Sequence, residues 1–231
     1  MVMPMHVTML LYPRLTQLDL TGPFEVFARF PEMKIDLVWK ERTPIRDAFG
    51  LELFPTKTFD ETPKTDIVFV PGGPGQLDLM NDAQTLAFLR QKASEASFVT
   101  SVCTGSLVLA AAGLLQGFRA TSHWMSLSQL ALMGAVPVQE RVVIDRNRVT
   151  GAGVTSGIDF AIALTAKLFG EERAQLVQLA MEYDPQPPFV GGSVSTAKEA
   201  HIDRLKGSSA AFQDRRVSAA KLAGEALRTA P

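Results

Sequence analysis

Cys103 is the one cysteine among 231 residues. It lies where a β-type run, Phe98-Val99-Thr100-Ser101-Val102, gives way to a helix-type run beginning at Leu107. A thiol on such a turn faces the positive end of a helix dipole, which favours thiolate over thiol and predicts a nucleophile. The competing reading is a buried cysteine acting as a small hydrophobe. Thr104 is either a first-turn residue or a hydroxyl that donates to the thiolate or to a bound intermediate. Asp19 sits between Leu18 and Leu20, in an apolar run just past the first predicted strand. It is either a carboxylate on a helix surface or a partly buried acid whose raised pKa lets it carry a proton.

Two glycine-bearing turns complete the candidate site: Pro71-Gly72-Gly73-Pro74-Gly75 and Gly151-Ala152-Gly153-Val154. Each is a tight bend in the plain reading. Each could also aim backbone N–H groups at a reacting atom, from Gly73 in the first and from Gly153 and Val154 in the second. The first turn lacks the Lys-Ser/Thr of a phosphate loop, and no G-x-G-x-x-G follows the first strand, so nucleotide binding is unsupported. Of three histidines, His6 and His201 read as surface residues, and His123 reads as packing on Trp124 more readily than as a partner for Cys103. No His/Cys/Asp cluster has zinc spacing.

The elements that must position these residues alternate. Apolar runs predict strands over 7–12, 35–39, 66–70 and 97–102, with a low-order hairpin region between 41 and 59. Further strands are expected over 119–124, in a pair formed by 136–138 and 142–144, and leading into Gly151. Helical patterns fall between them. One, near Leu18 to Phe27, is interrupted at Gly22-Pro23. Another starts at an Asp82 N-cap, and a third starts with a Ser156/Asp159 capping box. The order implies an α/β fold with a doubly wound, mostly parallel sheet and helices on both faces. In such a sheet, ligands bind beyond the carboxyl ends of the strands, which is where all four candidate segments fall.

Residues 184–193 are rich in proline and glycine, so the expected organisation is one domain over 1–190 and a helical arm over 191–231 that is not an independent domain. Beyond Thr196 the arm carries seven basic and four acidic residues, as a solvated helix packed on the core or a sister subunit would. The whole chain has 23 Lys+Arg against 24 Asp+Glu, which argues against nucleic acid as a partner. Its longest apolar run is nine residues, short of the roughly 20 that span a bilayer, and Met1 to His6 carries no secretory pattern. A lone free thiol suits the cytoplasm.

Pro71-Gly72-Gly73, Ser101-Val102-Cys103-Thr104-Gly105 and Ala120-Thr121-Ser122-His123-Trp124, in this α/β order, resemble the ThiJ/PfpI superfamily over about residues 5–183. That resemblance implies a flavodoxin-like fold, related to class I glutamine amidotransferases, with the cysteine at a nucleophile elbow. Gln17 to Pro23, Ala111 to Gly117 and the Pro187-Pro188-Phe189 linker resemble the isocyanide (isonitrile) hydratases within it. Thr104 stands where protease-like branches carry His, and Asp19 stands where many members carry Glu. Ala152 departs from an expected glycine. The implied activity adds water to an isocyanide through a Cys103 thioimidate. In it Asp19 moves protons, Thr104 and the amides of Gly73, Gly153 and Val154 steady the intermediate, and no metal or other cofactor is required. The implied partners are a small isocyanide, water and a second copy of the chain, with no nucleic acid and no membrane. Two alternatives stand beside it: a non-enzymatic sensor domain related to AraC-type regulators, and a thiol-based redox sensor or protein-repair enzyme.

Overall fold

The computed structural model describes residues 4–229; the start at Met1, read above as lacking a leader, lies outside them. In chain order the elements are β1 (Met5–Leu10), α1 (Gln17–Phe27), β2 (Met33–Trp39), β3 (Ile45–Arg46), β4 (Glu52–Leu53), β5 (Lys57–Thr58), β6 (Ile67–Val70), α2 (Gln76–Leu79), α3 (Ala83–Glu95), β7 (Phe98–Val102) and α4 (Gly105–Ala111). There follow β8 (Arg119–Ala120), a 3-10 segment (Leu127–Met133), β9 (Val136–Pro137), β10 (Val142–Asp145), β11 (Arg148–Gly151), α5 (Ser156–Phe169), α6 (Glu171–Ala180) and α7 (Glu199–Thr229).

Seven strands form the main sheet in the order β10-β11-β7-β6-β1-β2-β5. Every neighbouring pair is parallel except β10 with β11. All four residues of β6 are buried, as a central strand covered by helices on both faces requires. After β1 the chain moves outward to β2 on one side, and later returns to build β6, β7 and β11 on the other. The order therefore reverses between β1 and β6, and the crevice at their carboxyl ends is the expected ligand position. The α/β architecture with a mostly parallel sheet is the one the alternating runs predict, and its flavodoxin-like topology is the one the resemblance implies.

Several local expectations are corrected. α1 continues through Pro23 without a break, although proline cannot donate to the carbonyl four residues back. Close packing on α5 holds it: a Cβ on Gly157 would lie 3.1 Å from Pro23, and one on Gly22 would lie 3.3 Å from Ile158. The strand over 119–124 shrinks to β8, which pairs with β9 outside the main sheet. Segments 136–138 and 142–144 therefore do not pair with each other; β10 pairs with β11 instead. The Ser156/Asp159 capping box does not form, because the Asp159 carboxylate accepts from Arg141 (2.6 Å) and from the Tyr183 hydroxyl (2.9 Å). The Asp82 cap does form, accepting from the Thr85 amide at 2.9 Å.

The arm is no loose appendage. α7 buries a stripe of Arg216, Ala219, Ala220, Ala223 and Gly224, spaced as one helix face. Gly224 presses against the Leu132 carbonyl with no room for a side chain, and Gln129 donates to Gln213 at 3.1 Å. Among the described residues no helix is long and apolar enough to cross a membrane.

Candidate active site

The carboxyl end of β7 delivers Cys103 in the left-handed region, φ 56°. A non-glycine residue there is strained by about 1 kcal/mol or more, so its surroundings must hold it. They do so at both backbone ends. The Cys103 amide donates to the carbonyls of Gly151 (3.0 Å) and Ala152 (2.7 Å). Its carbonyl accepts from the hydroxyls of Ser106 and Ser122, each at 3.0 Å. Helix α4 begins two residues on, and Gly105 admits it against the carbonyls of β6 and Pro71.

Asp19 arrives from the other side of the switch point. The amide of Thr16, just before α1, donates to the Gly72 carbonyl at 2.9 Å, which ties the start of that helix to the first glycine turn. The Gly72 amide in return donates to Asp19 Oδ2 at 3.0 Å. A Cβ on Gly72 would lie 2.6 Å from Asp19 Oδ2, 2.6 Å from the Thr104 nitrogen and 2.8 Å from the Cys103 Cβ. Gly72 is thus the wedge between acid and thiol, and only glycine fits it. Asp19 is fully buried. Its Oδ1 has no formed hydrogen bond, and the Cys103 side chain lies across Gly72 from the carboxyl.

Burial raises the Asp19 carboxyl to about 7, against the pull of the thiol and the Gly72 amide. Burial also pushes the Cys103 thiol well above its ordinary range, and the neighbouring Asp19 charge adds to this; the Thr104 amide opposes. The expectation of a resting thiolate is therefore corrected. The α4 dipole is outweighed by desolvation and a carboxylate, and the pair rests as a thiol beside an acid that ionises near neutrality.

Thr104 is buried at the elbow, but its hydroxyl accepts from the Gly73 amide at 3.1 Å rather than meeting the sulfur. Gly73, at φ 130° and packed against Leu15, is therefore spoken for as a donor. Gly153 and Val154 differ. Their amides donate to no acceptor among the described residues, and both line a cavity of about 410 Å³. The cavity wall also holds Ser122 and Ala152, which bond the Cys103 backbone, and Ser193 and Val194 of the linker before α7. His123 packs on Gly153 and lies 5.8 Å from the Trp124 ring. Burial, then the charge of Arg216, holds its imidazole below the ordinary value. No group of three His, Cys, Asp or Glu side chains able to hold a metal occurs among the described residues.

Two site residues escape a reading of the sequence. Tyr12 closes the first apolar run, two residues past β1, yet its hydroxyl is buried and donates to the Pro71 carbonyl at 2.8 Å. Arg216 lies deep in the arm and is buried, donating to Ser126 Oγ at 2.7 Å. Its only signal is a cation set in a stripe of small residues.

Residues 5–167 match the DJ-1/PfpI family. The chain belongs to that family. DJ-1/PfpI relatives include the isonitrile hydratase of Pseudomonas putida, 52% identical over 88% of this chain and 90% of its own. A ThiJ/PfpI family protein from Pseudomonas syringae has a crystal structure superposing with a TM-score of 0.92, at 43% identity over 94% of this chain and 90% of that one. The transcriptional regulator GbdR of Pseudomonas aeruginosa is 33% identical over 58% of this chain, a match that takes in 37% of the regulator.

Proposed function

We propose that this protein is an isocyanide hydratase, which converts R–N≡C and water to the N-substituted formamide. The observation that carries the reading is the Cys103–Asp19 pair: a buried thiol and a buried carboxyl poised at about 7, packed on either side of Gly72 with no imidazole between them. The 52% identity to the isonitrile hydratase of Pseudomonas putida over most of both chains supports it.

The isocyanide carbon accepts the sulfur lone pair while the thiol proton passes to ionised Asp19. Asp19 then gives that proton to the same carbon, leaving the thioimidate R–N=CH–S–Cys103. Water adds across the C=N bond, its hydroxyl to carbon and its proton to nitrogen. The C–S bond breaks as the hydroxyl proton returns, through Asp19, to sulfur, giving R–NH–CHO and the free thiol. Gly72 keeps acid and sulfur in register, Thr104 braces the Gly73 turn, and the Gly153 and Val154 amides are donors for the thioimidate nitrogen or the incoming water. Gly73 contributes through the shape of its turn. The chemistry calls for no metal or organic cofactor.

The redox-sensor alternative needs an exposed thiol of low pKa, whereas Cys103 is 5% exposed and pushed upward. Within the hydratase reading, residues 1–190 form the catalytic domain, and 191–231 an arm that completes it. We assign the protein to the cytoplasm, as a homodimer in which contacts through α1 and α7 would cover exposed Leu205 and Leu222. Cys103→Ala is expected to abolish loss of the infrared N≡C band from an alkyl isocyanide while leaving the thermal melt unchanged within a few degrees. Undiminished turnover in that variant would refute the mechanism.

A further inference from the structure

Of the seven basic residues in the arm, Arg216 alone is buried, and it enters no ion pair among the described residues. Its guanidinium instead bonds neutral groups from distant parts of the chain. Nε donates at 2.9 Å to the side-chain oxygen of Gln76, the first residue of α2. A guanidinium only donates, so the Gln76 amide turns its oxygen toward it. Nη1 donates at 2.7 Å to Ser126 Oγ, just before the 3-10 segment, and at 3.3 Å to Gln213 on α7 itself. Gln76 and Ser126 are both fully buried. Ser126 Oγ has no other partner among the described residues, and the Gln76 oxygen has only the adjoining Leu77 amide besides. Buried polar groups need partners, and one side chain serves both.

Each of these groups leads on to the elbow. The Gln76 amide donates to the Gly73 carbonyl at 3.1 Å, and the Gly73 amide donates to Thr104 Oγ1 at 3.1 Å. On the other side, the Ser126 amide donates to the His123 carbonyl at 2.8 Å. Ser122, the residue before His123, donates its hydroxyl to the Cys103 carbonyl at 3.0 Å. The bonds close a ring, with Arg216 at one pole and Cys103-Thr104 at the other. We propose that Arg216 is a positioning residue for the elbow: its guanidinium staples the first glycine turn to the Ser122–Ser126 segment and so holds the strained Cys103 between them.

A non-glycine residue in the left-handed region persists only where its surroundings over-determine it, and Cys103 is such a residue. The staple supplies part of that constraint. Nε and Nη1 point apart in one rigid plane, which a compact ammonium on a flexible stem cannot copy. The Phe212 ring, 4.6 Å from the guanidinium carbon, packs on it. The helix that carries Arg216 is itself fixed, by Gly224 against the Leu132 carbonyl and by the Gln129–Gln213 bond. The family match ends at residue 167, so the staple comes from outside the matched part. Arg216 acts through its two relays; nothing requires it to touch substrate.

The effect of the staple on turnover rests on the hydratase reading, but its local effect does not, so the test reads both. Amide hydrogen exchange is followed residue by residue in the parent, Arg216→Lys and Ser126→Ala. Arg216→Lys keeps the charge and loses the fork. The amides of Gly73 and Ser126 are expected to exchange at least about tenfold faster in it, with those of β2 unchanged. With an alkyl isocyanide, kcat is expected to fall about ten- to a hundredfold while KM stays within about threefold, because the cavity is left in place. Ser126→Ala opens one side of the staple and is expected to act in the same sense but less strongly. That variant carries the test if Arg216→Lys fails to fold. Parental exchange at the Gly73 amide and at position 126 in both variants would overturn the proposal. So would faster exchange spread evenly over the core, which marks lost stability alone, or local loosening that leaves kcat at its parental value. If the parent itself consumes no isocyanide, exchange alone decides the staple and only the hydratase reading falls.

Discussion

The two glycine turns beside Cys103 look alike in sequence and behave oppositely in the structure. Pro71 to Gly73 is buried, and its amides are committed, Gly72 to Asp19 and Gly73 to Thr104. Gly75 nearby lies hard against the Pro13 carbonyl. Ala152 to Val154 is half-buried, carries a methyl in its middle, and leaves two amides without acceptors among the described residues. One wall therefore fixes the distance between acid and sulfur. The other meets the cavity, where substrates of different shape would be accommodated. A site built this way separates chemistry from fit.

Gly72→Ala should break the contrast most severely. Its Cβ meets the Thr104 nitrogen and the Cys103 Cβ below 3 Å, and both are anchored. Isocyanide turnover is expected to fall at least a thousandfold, with a stability loss of about 1–3 kcal/mol by urea unfolding.

Asp19→Asn tests the same wall without disturbing its shape, and about 10²–10⁴-fold loss of kcat/KM is expected. In the parent, kcat/KM should rise with pH through about 7, as Asp19 ionises, and that limb should vanish in the variant. Stability must run the other way. Folding raises this carboxyl from 3.8 to about 7, so the folded state binds more protons than the unfolded chain between those values. Denaturation midpoints should therefore fall as pH rises from about 4 to about 7, and Asp19→Asn should flatten that slope.

Ala152→Gly probes the permissive wall and should do least. Turnover is expected to stay within about threefold, with about 0.4–1 kcal/mol lost from backbone entropy alone. A loss as large as that of Asp19→Asn would show that this wall is as exacting as the first.

The same division governs what was legible in the sequence. Cys103 could be found because it closes a strand, and strand ends announce themselves through apolar runs and glycine; Asp19 could be found because it is the one acid in the apolar run that opens α1. Their protonation could not, because it depends on burial; the sequence signal for a helix dipole was present and desolvation outweighed it. Asp159 had the spacing of a cap, yet Arg141 and Tyr183, brought close only by folding, claimed its carboxylate. Arg216 was one cation among seven in the arm. What distinguishes it is its set of neighbours, Ser126 and Gln76, and both belong to distant parts of the chain.

The positive φ at Cys103 has an evolutionary corollary. Glycine is the residue most at ease in that conformation, so the mutation that would best relax the elbow is also the one that deletes the nucleophile. Selection for robustness and selection for turnover thus pull this codon in opposite directions. A lineage released from the need for catalysis would be expected to drift to glycine there while keeping the rest of its architecture.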